Sequence, residues 1–578
     1  MDSGGCFFER NLRALAPRDP ELCARLRAAA AGGAGGGAYE FSSASSGGLV
    51  PALLGGGGRA RPLHSMVDPR REAGRLVSSA AGPSGAGFFV FLGLGGGFLP
   101  RAALEASPAS FALAVEFGAG GVAELFRAVD YSALLGSPRF SLLVDPSPAA
   151  VEGAVLELYL PALSGGVSAL PLRARVERDA AAFGAAGEAA RRGIERVSAD
   201  YSVQAHFGLR WHANIVRNIA RMGRARAAPP GAAGPGFAPG REVAVCAAGP
   251  SLDAQLPELA ERKRRGALVV CSDTALPALL GGGLRPDAVV SIDCQHATLR
   301  HFAGSACRGA QLFLDLASPP ELARLSPSAV FFSGGHPLAR YACLKWARLP
   351  ELDASGGNVA YACLSLAESL GARRVEVFGA DFSYPAGRIY ARGTYLFRFF
   401  GERQCRLSPL EAQVSEFLFR APFLPPEAGA PPGFRRYETA TLRAYRRGFG
   451  RKISEMEAEV VVAPGLGLPP PARAKRPARA RPWDWGGLAA GKPASGAVEF
   501  LREYAREVEA LPPLGEAGGL GAEARRVFAT LLPLMAALRR RRPELPPADL
   551  LAEAKRRCAG EIEKVLGAQR FELRTSTV

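Results

Sequence analysis

The chain has 578 residues, 48% of them hydrophobic, with 71 lysines and arginines against 54 acidic residues and a net charge of +17. That length is too great for one hydrophobic core and predicts about two to four globular domains. The positive balance suits anionic partners (nucleotides, nucleic acid or an acidic membrane face) without choosing among them.

Residues 1–60 begin helix-prone, turn Gly-rich and form an N-terminal extension. "GFFVFLGLGGGFLPRAALEA" then reads as strand, glycine turn and helix, with later strands in "SFALAVEF", ending near Glu116, and "FSLLVDP", ending at Asp145. These define a first Rossmann-like unit over 61–225, closed by the helical patterns "AAFGAAGEAARRGIERV" and "WHANIVRNIARM". A Pro/Gly linker follows at 226–240. Over 241–463 six apolar runs alternate with helical patterns: "EVAVCAAG", "GALVVCSD", "DAVVSID", "AQLFLDLA", "SAVFFSGG" and "RRVEVFGAD". That alternation predicts a second parallel sheet covered on both faces. A Pro/Arg-rich linker at 464–490 and a helical region at 491–578 complete the chain. The fold class is therefore α/β, with two Rossmann-like parallel-sheet domains and a C-terminal helical region.

Ten cysteines are scattered with no Cys-x-x-Cys pair, which predicts reduced, buried thiols and no zinc knuckle or disulfide framework. "MDSGGCFFERNLRAL" has no apolar signal core, and "GFFVFLGLGGGFLP" is too short to span a bilayer. The expectation is a cytoplasmic protein without a transmembrane segment.

Ligands of open parallel sheets sit at the carboxyl ends of the strands. In the central domain those ends carry Gly249-Pro250-Ser251, Asp273, Asp293, Asp315, His336 and Asp381. Gly249 permits close backbone approach, and Ser251 is placed to cap a helix whose free N–H groups bind phosphate. The same turn also fits an ordinary strand-to-helix connection. A second helix opens at Ser355-Gly356-Gly357-Asn358, and a polar loop after Asp381 carries Tyr384, Arg388, Tyr390, Arg392 and Tyr395. Phenol hydroxyls and guanidinium groups suit phosphate oxygens and sugar hydroxyls. The N-terminal "LGLGGG" lacks the last glycine of the dinucleotide fingerprint and reads as a structural turn. The basic stretch 472–482 has the composition of a solvated linker, so no nucleic-acid partner is expected.

The ordered pieces "GPSLD", "SDTALPALLGGGLRPDAVVSID", "SGGNVAYACLSLAESLGARRVEVFGADFSYPAGRIYARGTY" and "YETATLRAYRRGF" resemble the motility accessory factor (Maf) glycosyltransferases. With "LHSMVDPRREAGRLV" the resemblance covers most of residues 60–455. The central domain is similar to bacterial CMP-sialyltransferases of GT-A type and to 6-hydroxymethylpterin diphosphokinases of the MptE type. The resemblance implies a metal-independent transferase that needs no cofactor. It would move a nonulosonic acid (sialic, pseudaminic or legionaminic type) from a CMP-sugar to Ser/Thr of flagellin, for flagellar assembly and motility. It implies nucleotide binding by Gly249, Pro250, Ser251, Asp273, Ser355, Gly356, Gly357, Asn358, Tyr384 and Tyr390, with Arg388 and Arg392 as further phosphate contacts. This chain departs from the pattern twice. It reads Asp-Phe-Ser-Tyr at 381–384 where the sialyltransferases have Asp-Phe-Tyr, and no histidine follows His336. The base is then His336, with Asp273, Asp293 and Asp381 as the other candidates. The alternatives are a pterin-kinase-like phosphoryl transferase holding Mg-ATP on the strand-end carboxylates, or a flagellin-binding factor without catalysis.

Overall fold

A computed structural model describes residues 3–32, 37–54, 60–82, 85–223, 240–304, 309–326, 329–425, 434–475, 496–513 and 521–575. The chain forms two compact units: Met1–Gly208 with Glu509–Arg556, and Leu209–Val508 with Arg557–Val578. Most of the expected linker 226–240 and much of the expected linker 464–490 lie outside the described residues.

In the first unit an antiparallel ribbon of β1 (Tyr39–Ser43), β2 (Leu49–Leu54) and β3 (Ala60–Pro62) precedes the main sheet. The sheet has β4 (Ala86–Leu92), β5 (Phe111–Glu116), β6 (Phe140–Val144) and β7 (Gly166–Pro171) in the order β6-β5-β4-β7, all parallel. Phe88, Phe89, Val90 and Phe91 are fully buried, alternating between two core clusters on the two sheet faces. A continuous apolar run is what a strand covered on both sides requires. The sequence marks β4, β5 and β6 but not the ribbon or β7, whose "GVSALP" is short and only partly buried.

The second unit is built on seven strands: β8 (Glu242–Cys246), β9 (Leu268–Ser272), β10 (Ala288–Ser291), β11 (Gln311–Asp315), β12 (Val330–Phe332), β13 (Arg374–Phe378) and, after the small hairpin β14 (Tyr384–Pro385) with β15 (Arg436–Tyr437), β16 (Glu459–Val462). Their order is β12-β11-β10-β9-β8-β13-β16 and every pair is parallel. The chain runs outward from β8 to β12, then returns to the other side of β8 for β13 and β16. The switch in direction lies between β8 and β13, where this class of sheet opens a crevice at its carboxyl edge.

The helical region expected at 491–578 is shared out between the units: the residues up to Val508 and from Arg557 onward group with the second, and Glu509–Arg556 with the first. In Ala522–Arg541 the buried residues include Val527, Leu531, Leu534, Met535 and Leu538. That helix runs so close to Gly208 that a Cβ there would lie 1.8 Å from the Pro533 carbonyl oxygen. In Ala497–Glu509, Phe500 and Tyr504 pack on Tyr341 and Trp346 of the second unit. The two helical patterns before residue 225 form one helix, Ala180–Met222, with the unit boundary inside it, because no proline interrupts them.

Candidate active site

At the switch point the Gly-Pro-Ser turn is occupied by the protein itself. Gly249 N donates to Gly379 O (2.8 Å), Ser251 N to Asp381 Oδ2 (2.8 Å) and Leu252 N to Gly249 O (3.0 Å). The Ser251 hydroxyl donates to Asp381 Oδ1 and accepts from Leu466 N (2.7 Å), while Gly467 N donates to the same Asp381 oxygen (2.9 Å). Side chains cannot enter this knot: a Cβ at Gly249 would lie 2.4 Å from Asp381 Oδ2, and one at Gly467 would lie 2.2 Å from Asp381 O. Two expectations are corrected here. Ser251 does not cap the helix Leu252–Arg264, because its side chain makes no capping bond and its donors serve Asp381. Asp381 is not a free base, because its buried carboxylate accepts three hydrogen bonds that tie residues 464–468 over the crevice.

The other half of the edge, beyond β9 and β10, has a different character. Asp273 is buried; its Oδ1 accepts from Thr274 N (2.6 Å) and Thr274 Oγ1 (3.0 Å), its Oδ2 from Ser291 Oγ (2.7 Å). Asp293, at the end of the next strand, is half-buried and accepts from Gln295 N (2.9 Å). Burial pushes its carboxyl above the ordinary range; the Gln295 N–H opposes this, Asp273 adds to it and His301 opposes it.

Four phenols interact electrostatically with one another or with these carboxylates, and three of them, Tyr384, Tyr390 and Tyr395, share one cluster. Burial raises Tyr390 well above a free phenol, with Tyr384, Tyr395, Tyr445 and Asp273 all adding to the effect. Burial likewise raises Tyr384, beside Tyr445, and Tyr445, beside Asp293. Tyr395 is raised by burial, opposed by Arg300 and reinforced by Asp293 and Asp273. All four therefore stay protonated and offer O–H donors. The strand pairing Tyr384↔Tyr437 fixes one of them, and just before it Phe382 takes a left-handed backbone (φ 44°), its ring packing on Phe449. Such backbone is costly for a bulky residue and is held only where its surroundings demand it.

The second glycine turn faces this cluster. Asn358 caps the helix Val359–Ser369 by accepting from Tyr361 N (3.0 Å). Gly357 has φ +70°, and a Cβ there would lie 3.0 Å from the Tyr445 ring; at Gly356 it would lie 2.2 Å from the Tyr361 ring. Exposed Ser355 donates its N–H to Asp353 (2.9 Å). The turn thus brings backbone and the Tyr445 phenol together.

The remaining expected residues sit elsewhere. Arg388 and Arg392 line a cleft of about 890 Å³ that also has Asp253, Tyr390, Phe397, Glu411 and Arg435 on its walls. His336 lies beyond β12, three strands from β9 and so about 14 Å away at the usual strand spacing. Its Nε2 is 3.6 Å from Asp315 Oδ1 and its ring packs on Trp211. His336 is therefore not grouped with the phenols. Sequence reasoning missed Tyr445, His301 and a pair of buried asparagines. Asn214 donates to the carbonyls of Cys294 and Ala317, and Asn218 to those of Leu316 and Ser318, clamping the loops after β10 and β11. Two asparagines four apart in the apolar stretch "NIVRN" were the available signal.

In the first unit the glycine turn is consumed internally, as a structural turn should be. Glu116 accepts from Leu94 N (2.8 Å), Phe117 N (2.9 Å) and Arg175 Nε (2.8 Å), Gly96 N donates to His64 Nε2 (2.9 Å), and the Tyr131 hydroxyl donates to Gly95 O (2.5 Å). Glu116 is fully buried, with both carboxylate oxygens engaged by protein donors.

Residues 214–387 match the family model described as 6-hydroxymethylpterin diphosphokinase MptE-like. The solved structure of a Maf glycosyltransferase from Magnetospirillum magneticum AMB-1 superposes with a TM-score of 0.59 over 97% of this chain and 95% of that one, at 16% identity. That likeness establishes a shared fold across both units, of Rossmann-like α/β type with a helical C-terminal region. Uncharacterized proteins of Treponema pallidum (strain Nichols) are similar to parts of the chain. One is 41% identical over 122 residues, which are 21% of this chain and 42% of the relative. Another is 32% identical over 162 residues, 27% of each. The chain thus spans less than half the length of these relatives.

Proposed function

We propose that the second unit is the catalytic part of a glycosyltransferase that moves a nonulosonic acid from a CMP-sugar to Ser/Thr hydroxyls of flagellin. The observation that carries this reading is the gathering of four protonated phenols around Asp273 and Asp293, beside the turn at Gly356-Gly357-Asn358. An anionic leaving phosphate needs donors rather than further carboxylates, and preorganised O–H groups in a buried site stabilise it strongly. In this reading Tyr384 and Tyr390 hold the phosphate, with Tyr395 and Tyr445 completing the ring. Asp273 and the 355–358 turn take the nucleoside, and Asp293 lies on the acceptor side. The acceptor oxygen attacks the anomeric carbon, its proton passes to a protein base, and CMP leaves with the bonding pair. The Maf-type fold supports a transferase, and no cofactor enters the scheme. Among the described residues no helix is long and apolar enough to cross a membrane; a cytoplasmic site of action is part of the proposal.

The match over 214–387 favours a second reading, diphosphoryl transfer from Mg-ATP to a pterin. Asp273 already accepts three hydrogen bonds, and among the described residues no three His, Cys, Asp or Glu side chains form a metal-ligand set. Magnesium would rest chiefly on Asp293 and the phosphates themselves. Thermal-shift titration with CMP and with Mg-ATP separates the readings. Ligand at about 100 times its Kd adds roughly 2.7 kcal/mol, a shift of a few degrees. A shift with CMP in the presence of EDTA is expected. A shift with Mg-ATP alone favours the kinase, and a shift with neither leaves the flagellin-binding factor.

A further inference from the structure

His301 stands out on the open half of the sheet edge. It belongs to the short helix Leu299–Phe302 that follows β10, on the same connection as Asp293. Its ring meets Tyr395 edge-on, with centroids 4.6 Å apart and planes at 85°. Its Nδ1 is buried and has no hydrogen-bond partner. Buried polar atoms are almost always paired, and leaving one unpaired costs about 1–3 kcal/mol. A ring needed only to pack on Tyr395 could be a phenylalanine or leucine and escape that cost. The ring touches the phenol Tyr395, which also feels the Arg300 guanidinium, and it interacts electrostatically with the Asp293 carboxylate.

Resting on the transferase reading above, we propose that His301 is the general base, accepting the proton of the acceptor hydroxyl at Nδ1. With its proton on Nε2 the imidazole leaves Nδ1 an acceptor without a donor, and a hydroxyl that enters as the short helix shifts to uncover it supplies that donor. As the O–H bond breaks, the oxygen forms its bond to the anomeric carbon and the carbon–phosphate-oxygen bond breaks toward CMP. The proton rests on the imidazole, where the charge of Asp293 favours the resulting cation, and then passes to water. This role fits a chain with no histidine after His336: the base comes from the connection after β10.

The test uses the full chain with CMP-N-acetylneuraminate, measuring CMP release to water as acceptor, together with CMP affinity by calorimetry. His301→Gln is expected to lower turnover about 10²–10⁴-fold while CMP affinity changes less than threefold. His301→Gly is expected to be restored in part by added imidazole, a rescue that a structural role does not give. Wild-type turnover is expected to fall on the acidic side as the imidazole is protonated, and His301→Gln to lose that limb. Retention of more than half the turnover in His301→Gln, or loss of an alkaline limb instead, overturns the assignment while leaving the transferase reading in place. Wild-type protein that neither binds CMP nor releases it from the donor overturns the transferase reading, and the role of His301 with it.

Discussion

Both sheet units place a strand, a glycine-rich turn and a helix at their carboxyl edge, yet the two edges have opposite chemistry. In the first unit Glu116 ends its strand and meets Arg175; the turn's N–H groups meet Glu116 and His64. Each of these groups has a protein partner. In the second unit the half around Ser251 and Asp381 is likewise tied up by its own hydrogen bonds, whereas the half around Asp273 and Asp293 gathers phenols that stay protonated. A glycine turn is therefore no mark of a ligand by itself. What separates a sealed edge from an open one is whether the loop side chains that converge there find partners within the protein.

The sharpest way to break this comparison is to unseal the first unit. Arg175 and Glu116 are 4% and 0% exposed, so Arg175→Leu leaves a buried carboxylate without its cation. The expected loss is about 3–5 kcal/mol of unfolding stability, read by urea denaturation. A loss below 1 kcal/mol would mean that Glu116 is neutral in the folded unit and the edge is held by packing alone.

Acid tests the same edge. Burial holds the His64 imidazole at about 4. The unfolded chain takes up a proton near pH 6.5 that the folded unit refuses. Stability is thus fully present above about pH 6.5 and falls as pH drops toward 4, by on the order of 3 kcal/mol. His212 in the second unit, also held at about 4 by burial, adds a similar loss there. Denaturation midpoints at pH 7 and pH 5 should differ clearly, and His64→Gln should narrow the gap. An unchanged midpoint would place a proton on the folded imidazole.

Within the second unit the two halves should respond to different measurements. Tyr390→Phe removes a phenol O–H from the open half and is expected to weaken CMP binding roughly 10-fold, the usual size of one hydrogen bond to a charged group, with little change in melting temperature. Ser251→Ala removes the hydroxyl that serves Asp381 and Leu466 in the sealed half. It should cost about 1–3 kcal/mol of stability and leave CMP affinity within twofold. If Ser251→Ala instead abolishes CMP binding without unfolding the unit, the crevice at the switch point is the nucleotide site and residues 464–468 move aside.

The sheets were legible because continuous apolar runs such as "ALVVCS" have few alternatives to a buried parallel strand, and β8 to β13 lie where that pattern predicts. The carboxylates Asp273 and Asp293 and the tyrosines 384 and 390 were legible as strand-end and loop residues. Their grouping was not. Tyr445 comes from the helix Ala440–Glu455, and its place against the turn at Gly357 is a tertiary fact with no local signature. The knot between Ser251, Asp381 and Gly467 joins three segments up to 216 positions apart, so a motif read along the chain could not tell that its donors were already taken. His336 drew attention by standing at a strand end, but strand order sets it beyond β12, away from the phenols.

The smallest expected effect separates the two glycine turns of the second unit. Asn358 is a true N-cap: its Oδ1 accepts from Tyr361 N and its Nδ2 donates to Gly356 O (3.1 Å). Asn358→Ala should cost about 1 kcal/mol, the ordinary price of a lost cap, and loosen the backbone beside Gly357, which Tyr445 covers. Because that backbone faces the phenols, a small loss of CMP affinity should accompany the loss of stability. Ser251→Ala, acting in the sealed half, should lose stability without that accompaniment. Measured side by side, the two variants ask whether a capped turn next to the tyrosines is part of the binding surface. Asn358→Ala with unchanged CMP affinity would reduce the 355–358 turn to a support for Tyr445 and leave the nucleoside to Asp273.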